Sequence, residues 1–262
     1  MSLDYLAHLR ADSERFLSLL RDADPQTKVP SCPDWVADDL LWHLSEVQWF
    51  WGTIVDQRLQ DADEAEAQKP PRPESHQGLL ELFAESSALL QSTLTSTDPA
   101  TTVWMWSDDK TVGYIRRRQA HEALIHRLDA ELTVDDVTGL DTALASDGVD
   151  EVFTKLYGGV PEWGEFTDSG RTIAVTTTDT GLSVPLRLGR WKGTSPNTGN
   201  TYDEAICEVA DSDGFVAHAV VRGSSPDLDA WAWGRGDATR LNVDGDSDVF
   251  ALLQAVVDQG VQ

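Results

Sequence analysis

The sequence predicts a two-domain α+β chain: a four-helix bundle over residues 1–150, then a smaller α+β domain over 151–262. Two observations predict it. The first half holds four long stretches whose apolar residues recur every three to four positions, the pattern of helices with one buried face. Past a polar connector near 133–147, the pattern changes to short β-branched or alternating runs separated by turn residues, which read as strands. A chain of 262 residues is long enough for one large or two ordinary domains.

Residues 3–22 form the first amphipathic helix, with Leu6, Phe16, Leu19 and Leu20 as core positions. After the proline-bearing VPSCPDW comes ADDLLWHLSEVQWFWGTIVDQRL, whose Leu40, Leu44, Val47, Phe50, Trp51 and Ile54 make a second buried stripe. The prolines and charges of DADEAEAQKPPRPES stop any helix there. A third helix covers about 79–94 through Leu79, Leu80, Phe83, Leu90 and Leu94, and a fourth follows the loop TTVWMWSDDK over about 112–133. Four helices with one apolar face each imply a bundle. In the second half GVDEVFTKLYGG is helical, while RTIAVTTTD, GLSVPLRLG, EAICEVAD and FVAHAVVRG are strands. SPDLDAWAWGRG, TRLNVDG and DSDVFALLQAVVDQ complete the chain as helix, short strand and helix.

Charge and cysteine usage exclude several classes. Forty-five acidic residues against 20 basic ones give a net charge of -25, a surface that repels phosphate backbones, so no nucleic-acid partner is expected. No apolar run approaches the ~20 residues that span a bilayer, and the amphipathic N-terminus has no signal-peptide pattern. Cys32 and Cys207 are the two cysteines and neither belongs to a C-x-x-C. That argues against a disulfide scaffold or a cysteine zinc site and fits a reducing cytoplasm. No G-x-S-x-G, P-loop or post-strand G-x-G-x-x-G occurs.

The stretch HEALIH, residues 121–126, looks like half of a zinc-protease signature with the wrong spacing. His121 and His126 are five apart, about 140° around a helix, too far to share one metal. Glu122 and His126 are four apart and lie on one face. The stripe Ile115, Arg118, Glu122, Ile125, His126, Asp129 is polar for a helix that must pack. On the second helix His43 also falls on the inward stripe. A set of two histidines and one carboxylate suits a catalytic zinc, since it leaves positions open for water or substrate. From the residues alone the alternatives stay open: a lone inward histidine such as His43 is usually a hydrogen-bonded core residue, and Glu122/His126 can be a plain helical i, i+4 pair.

Three segments carry a resemblance. SCPDWVADDLLWHL, RRRQAHEALIHRLDAE and VRGSSPDLDAWAWGRGDATRLNVDGD, in this order, resemble the mycothiol-dependent maleylpyruvate isomerase-like family, a branch of the DinB-like metal-binding four-helix bundles. The resemblance implies a divalent metal, commonly zinc, held by His43, Glu122 and His126, with Asp129 placed to orient a ligand. It implies mycothiol as thiol co-substrate and a small-molecule electrophile as partner. S-transfer or thiol-assisted cis–trans isomerisation would follow, the alternative being a non-catalytic metal- or ligand-binding sensor of the same fold. Arg118 is placed to hold a carboxylate of substrate or thiol, or to pair with Glu122 or Asp129. Trp104 and Trp106 are expected at a pocket mouth. Arg235 and Arg222 are the candidates for an arginine that the family brings to its cleft from the second domain.

Overall fold

The computed structural model describes residues 3–159, 163–196 and 198–261. The chain divides into two compact units, Met1–Gly139 and Leu140–Gln262.

The first unit is built on four long helices among the described residues. Helix α1 spans Tyr5–Arg21, started by Asp4, whose side chain accepts from the Ala7 N–H. A short antiparallel pair, β1 (Lys28–Val29) and β2 (Cys32–Val36), folds VPSCPDW into a hairpin that the sequence reading did not foresee. Helix α2 spans Ala37–Gln57, and its Asp39 carboxylate accepts from the Val36 N–H at 3.0 Å. Its first turn holds Asp38 and Asp39, where negative charge complements the helix dipole. Arg58 ends it in the left-handed region at φ 54°.

The linker expected to contain no helix does contain one. Helix α3, Ala62–Glu66, forms because Asp61 caps it by accepting from Asp63, with Asp63 and Glu64 in its first turn; it ends before the prolines begin. Helix α4, His76–Ser96, starts at the Ser75 cap, earlier than the apolar pattern suggested. Helix α5 covers Val112–Val134 behind the Thr111 cap.

Two apolar clusters fill this unit. One gathers Leu9, Trp51, Ile54, Leu90, Leu94, Met105 and Ile115, the other Phe16, Leu20, Leu40, Leu44, Leu79 and Phe83. Phe16 and Phe83 meet at 4.9 Å between ring centroids. Between these clusters, along each helix, lie buried polar residues: Asp12 and Ser13 of α1, Ser45 and Gln48 of α2, Ser86 and Ser87 of α4, and His126 and Arg127 of α5. Gln48 Nε2 donates to Ser13 Oγ at 2.9 Å, and Arg127 Nε stands 2.7 Å from Asp12 Oδ1. The polar stripe of α5 belongs to this layer.

The second unit opens with helix α6, Thr142–Glu151, capped by Asp141, and a π-helical turn at Val152–Leu156. The expected division at 150/151 therefore moves back to Gly139/Leu140, because α6 packs against a helix of the second unit, α7 (Ser225–Ala232). Strands β3 (Gly164–Thr177), β4 (Ser183–Thr194), β5 (Thr201–Val209), β6 (Ala219–Gly223) and β7 (Asn242–Gly245) form one sheet in the order β5-β4-β3-β6-β7. β3 and β6 run parallel from Ile173↔Ala219 to Thr177↔Gly223, and the other pairs are antiparallel. The strand expected over 215–223 shrinks to that five-pair overlap. Helix α8, Ser247–Val257, lies against β3, β5 and β6. Ile173, Val175, Leu186, Leu188, Val221, Phe153, Trp231 and Leu253 are buried here, and Trp231 Nε1 donates to Gln254 Oε1 at 3.0 Å. Gly245 has φ 99°, and a Cβ there would stand 2.4 Å from the His218 carbonyl oxygen, so only glycine fits. Among the described residues no helix is long and apolar enough to cross a membrane.

Candidate metal centre

Helices α2 and α5 pack side by side and set three donors facing one another. His43 sits two turns into α2; Glu122 and His126 sit one turn apart near the middle of α5. One ligand atom from each lies within 4.8 Å of the others. Glu122 Oε1 is the hub, 3.1 Å from His126 Nε2 and 3.7 Å from His43 Nε2. The two imidazoles meet edge to face at 4.7 Å between centroids.

Each donor is held by other parts of the chain. The His126 Nδ1–H donates to Asp129 Oδ2 at 2.9 Å, and Asp129 Oδ1 in turn accepts from the Ser31 hydroxyl in the β1–β2 turn. Arg118 donates from Nη2 to Glu122 Oε2 at 3.0 Å. Of the partners expected for Arg118, the structure thus shows the protein's own carboxylate. Trp35 of β2 covers both imidazoles, its ring 4.8 Å from His43 and 6.4 Å from His126. His121 is buried away from the donors, with its ring edge-on to Tyr5.

Trp35 and Ser31 went unnoticed in the sequence as site residues, although they belong to the SCPDW segment that carried the resemblance. Their contribution depends on the hairpin folding back over α5. Trp104 lies in the apolar cluster, stacked on Trp51 at 5.7 Å, and Trp106 is exposed and edge-on to Tyr114. Arg222 and Arg235 belong to the second unit. Arg222 Nη1 binds Asp244 Oδ2 across β6 and β7 at 2.7 Å, and Arg235 Nη1 donates to the Trp233 carbonyl at 2.6 Å.

The donor set fits a divalent cation. With its Nδ1 proton committed to Asp129, His126 turns the Nε2 lone pair toward the Glu122 oxygen. Two acceptors 3.1 Å apart repel unless a proton or a cation lies between them. Two ligands each 2.0–2.1 Å from a tetrahedral zinc stand ~3.3 Å apart, and the observed 3.1 and 3.7 Å straddle that separation. Without a cation the proton takes its place. Burial pushes the Glu122 carboxyl up, but hydrogen bonds from His126 and His43 and the Arg118 charge outweigh it and hold the group well below its ordinary 4.5. Burial likewise pushes His126 down, but Asp129 and Glu122 outweigh it and raise the imidazole above 6.5.

A pH dependence follows. Glu122, lowered on folding, contributes stability present above pH 4.5 and lost as pH falls through its folded value. His126, raised on folding, contributes stability fully present below pH 6.5 and lost as pH rises through its folded value. Chelator-treated protein should therefore lose melting temperature above neutral pH, less so in His126→Gln. Zinc should reverse the alkaline loss, since metal competes with the proton and binds better as pH rises. Identical melting profiles with and without zinc would refute this.

Sequence comparison places the chain. Residues 6–131 match the mycothiol maleylpyruvate isomerase N-terminal domain, and residues 143–252 match the C-terminal domain of the same proteins. The chain belongs to the mycothiol maleylpyruvate isomerase family. Two solved structures of a mycothiol-dependent maleylpyruvate isomerase, one of them a histidine-to-alanine mutant, share its fold with TM-scores of 0.60 and 0.58. Each is 13% identical and aligned over 92% of both chains. No curated protein matches the sequence significantly. The family's domain order, helical first and sheet-containing second, is the order seen here.

Proposed function

We propose that the chain is a metal-dependent enzyme that takes a low-molecular-weight thiol, mycothiol, as thiolate and applies it to an electrophilic small molecule. The outcome is either S-transfer or thiol-assisted cis–trans isomerisation. The convergence of His43, Glu122 and His126 within 4.8 Å carries this reading. Three protein donors leave a fourth position open, as in catalytic rather than structural zinc sites. A divalent cation there would supply the charge that deprotonates a coordinated thiol, whose ordinary pKa of ~8.5 keeps it protonated at neutral pH.

The chain's own residues prepare the site. Asp129 fixes the His126 tautomer, Arg118 balances one oxygen of Glu122, and Trp35 packs its ring against both imidazoles. The His43 side chain keeps 29% of its surface exposed, which leaves an approach for the sulfur. Elemental analysis of the purified protein should find about one divalent ion per chain. Thiol-dependent turnover of an activated alkene or alkylating electrophile should accompany it. Bound metal without turnover would favour the sensor alternative, and absence of metal would overturn the proposal.

A further inference from the structure

Both ligand histidines carry an acidic residue three places further along the same helix: His43 with Glu46 on α2, His126 with Asp129 on α5. That spacing puts the two side chains of each pair on one helical face. Around His126 the arrangement is closed, with Nδ1 2.9 Å from Asp129. Around His43 it is nearly so, with Nδ1 3.9 Å from Glu46 Oε1. Each carboxylate is also tethered from outside its helix. Ser31 holds Asp129; Lys69, from the segment between α3 and α4, holds Glu46 through Nζ–Oε2 at 2.5 Å and lies 5.7 Å above the Trp42 ring. The tether occupies Oε2 and leaves Oε1 facing the His43 ring.

We propose that Glu46 is a positioning residue for the metal site: its Oε1 accepts the Nδ1–H of His43 and thereby aims Nε2 at the cation, with Lys69 holding the carboxylate in place. The inference rests on the metal reading of the site. A carboxylate on the far nitrogen fixes the tautomer and ring plane of a ligand histidine and raises its basicity. His43 needs such a partner more than His126 does, because its side chain is 29% exposed against 5% and packing alone restrains it less. At 3.9 Å the pair is not yet a hydrogen bond, so the proposed contact is one that forms when the metal binds. Lys69 offsets the negative charge that a second carboxylate brings beside Glu122.

Zinc binding by the full chain, measured by competition with a chromophoric chelator, tests the proposal. Glu46→Ala should weaken binding 10–100-fold, the usual cost of losing such a partner. Glu46→Gln, whose amide oxygen can accept the same N–H, should recover most of the loss. Glu46 lies at the surface edge, its side chain 23% exposed, so the truncated chain should fold and the chelated variant should melt as the wild type does. In the zinc-loaded, ¹⁵N-labelled protein, the downfield Nδ1–H proton of His43 should vanish in Glu46→Ala while that of His126 persists. Wild-type affinity with an unchanged His43 resonance would overturn the role, as would equal losses in the Ala and Gln variants. Should His43→Ala bind zinc as tightly as the wild type, the metal reading itself falls, a result distinct from failure at Glu46 alone.

Discussion

Glu122→Ala is expected to strip the divalent ion from the protein and abolish thiol-dependent turnover. Glu122 is the carboxylate of the donor set, and its Oε1 lies 3.1 and 3.7 Å from the Nε2 atoms of the two imidazoles. Its removal deletes one ligand bond and the negative charge that balances the cation. The loss should exceed the ~100-fold cost of deleting an outer partner. Glu122→Gln keeps the volume and loses the charge, so it separates ligation from packing: weak binding with a preserved fold is the expected result. His126→Ala should behave like Glu122→Ala. Isothermal titration with zinc, with elemental analysis of the purified variants, reads the effect. Unchanged metal stoichiometry in both alanine variants would mean that these side chains hold no ion.

Arg127→Ala should be the most destabilising single change in the first unit outside its apolar clusters. The guanidinium is 5% exposed and serves several groups: Nε stands 2.7 Å from Asp12, and Nη1 binds Glu131 at 2.8 Å and Thr138 Oγ1 at 2.6 Å. Glu131 is fully buried. Burial raises the Asp12 carboxyl even with the Arg127 charge pulling it down. Truncation leaves buried Asp12 without its guanidinium and Glu131 with Arg15 alone, at 3.3 Å, a change that costs ~3–5 kcal/mol where one partner of a buried pair is removed. Replacing all three charges with apolar side chains of similar volume should cost far less, since the desolvation of the ions is then avoided as well. Urea unfolding followed by circular dichroism would measure both, and a loss below ~1 kcal/mol for Arg127→Ala would show that the network is solvated.

The apolar stripes of α1, α2 and α4 could be read from the sequence because each helix has one buried face and one wet one. Helix α5 was legible for the opposite reason: Arg118, Glu122, His126 and Asp129 share a face that a packing helix should keep apolar. What escaped notice depended on distant partners. The β1–β2 hairpin exists through its own pairing and its packing on α2 and α5, and no periodicity announces two- and five-residue strands. Helix α3 is too short to show a period. The parallel partner of β3 lies more than forty residues on, so only the folded sheet reveals it. Within the site, the three donors stood out by chemical type and spacing. Ser31, Trp35 and Lys69 did not, because each arrives from a connecting segment. Glu46 carries the same i, i+3 spacing from its histidine as Asp129, but on a helix whose stripe is otherwise apolar that spacing alone marks no site.

The buried polar layer across the bundle also decides how the helices align. Apolar side chains are interchangeable partners, so two greasy helices lose little when one slides along the other by a turn, ~5.4 Å. Here a slide of α1 would part Gln48 from Ser13 and Arg127 from Asp12 at once, and each stranded group would cost ~1–3 kcal/mol. The layer thus works as a set of dowel pins. The same fixed stagger keeps the rungs of α2 and α5 level, so that a histidine on one always finds its counterparts on the other.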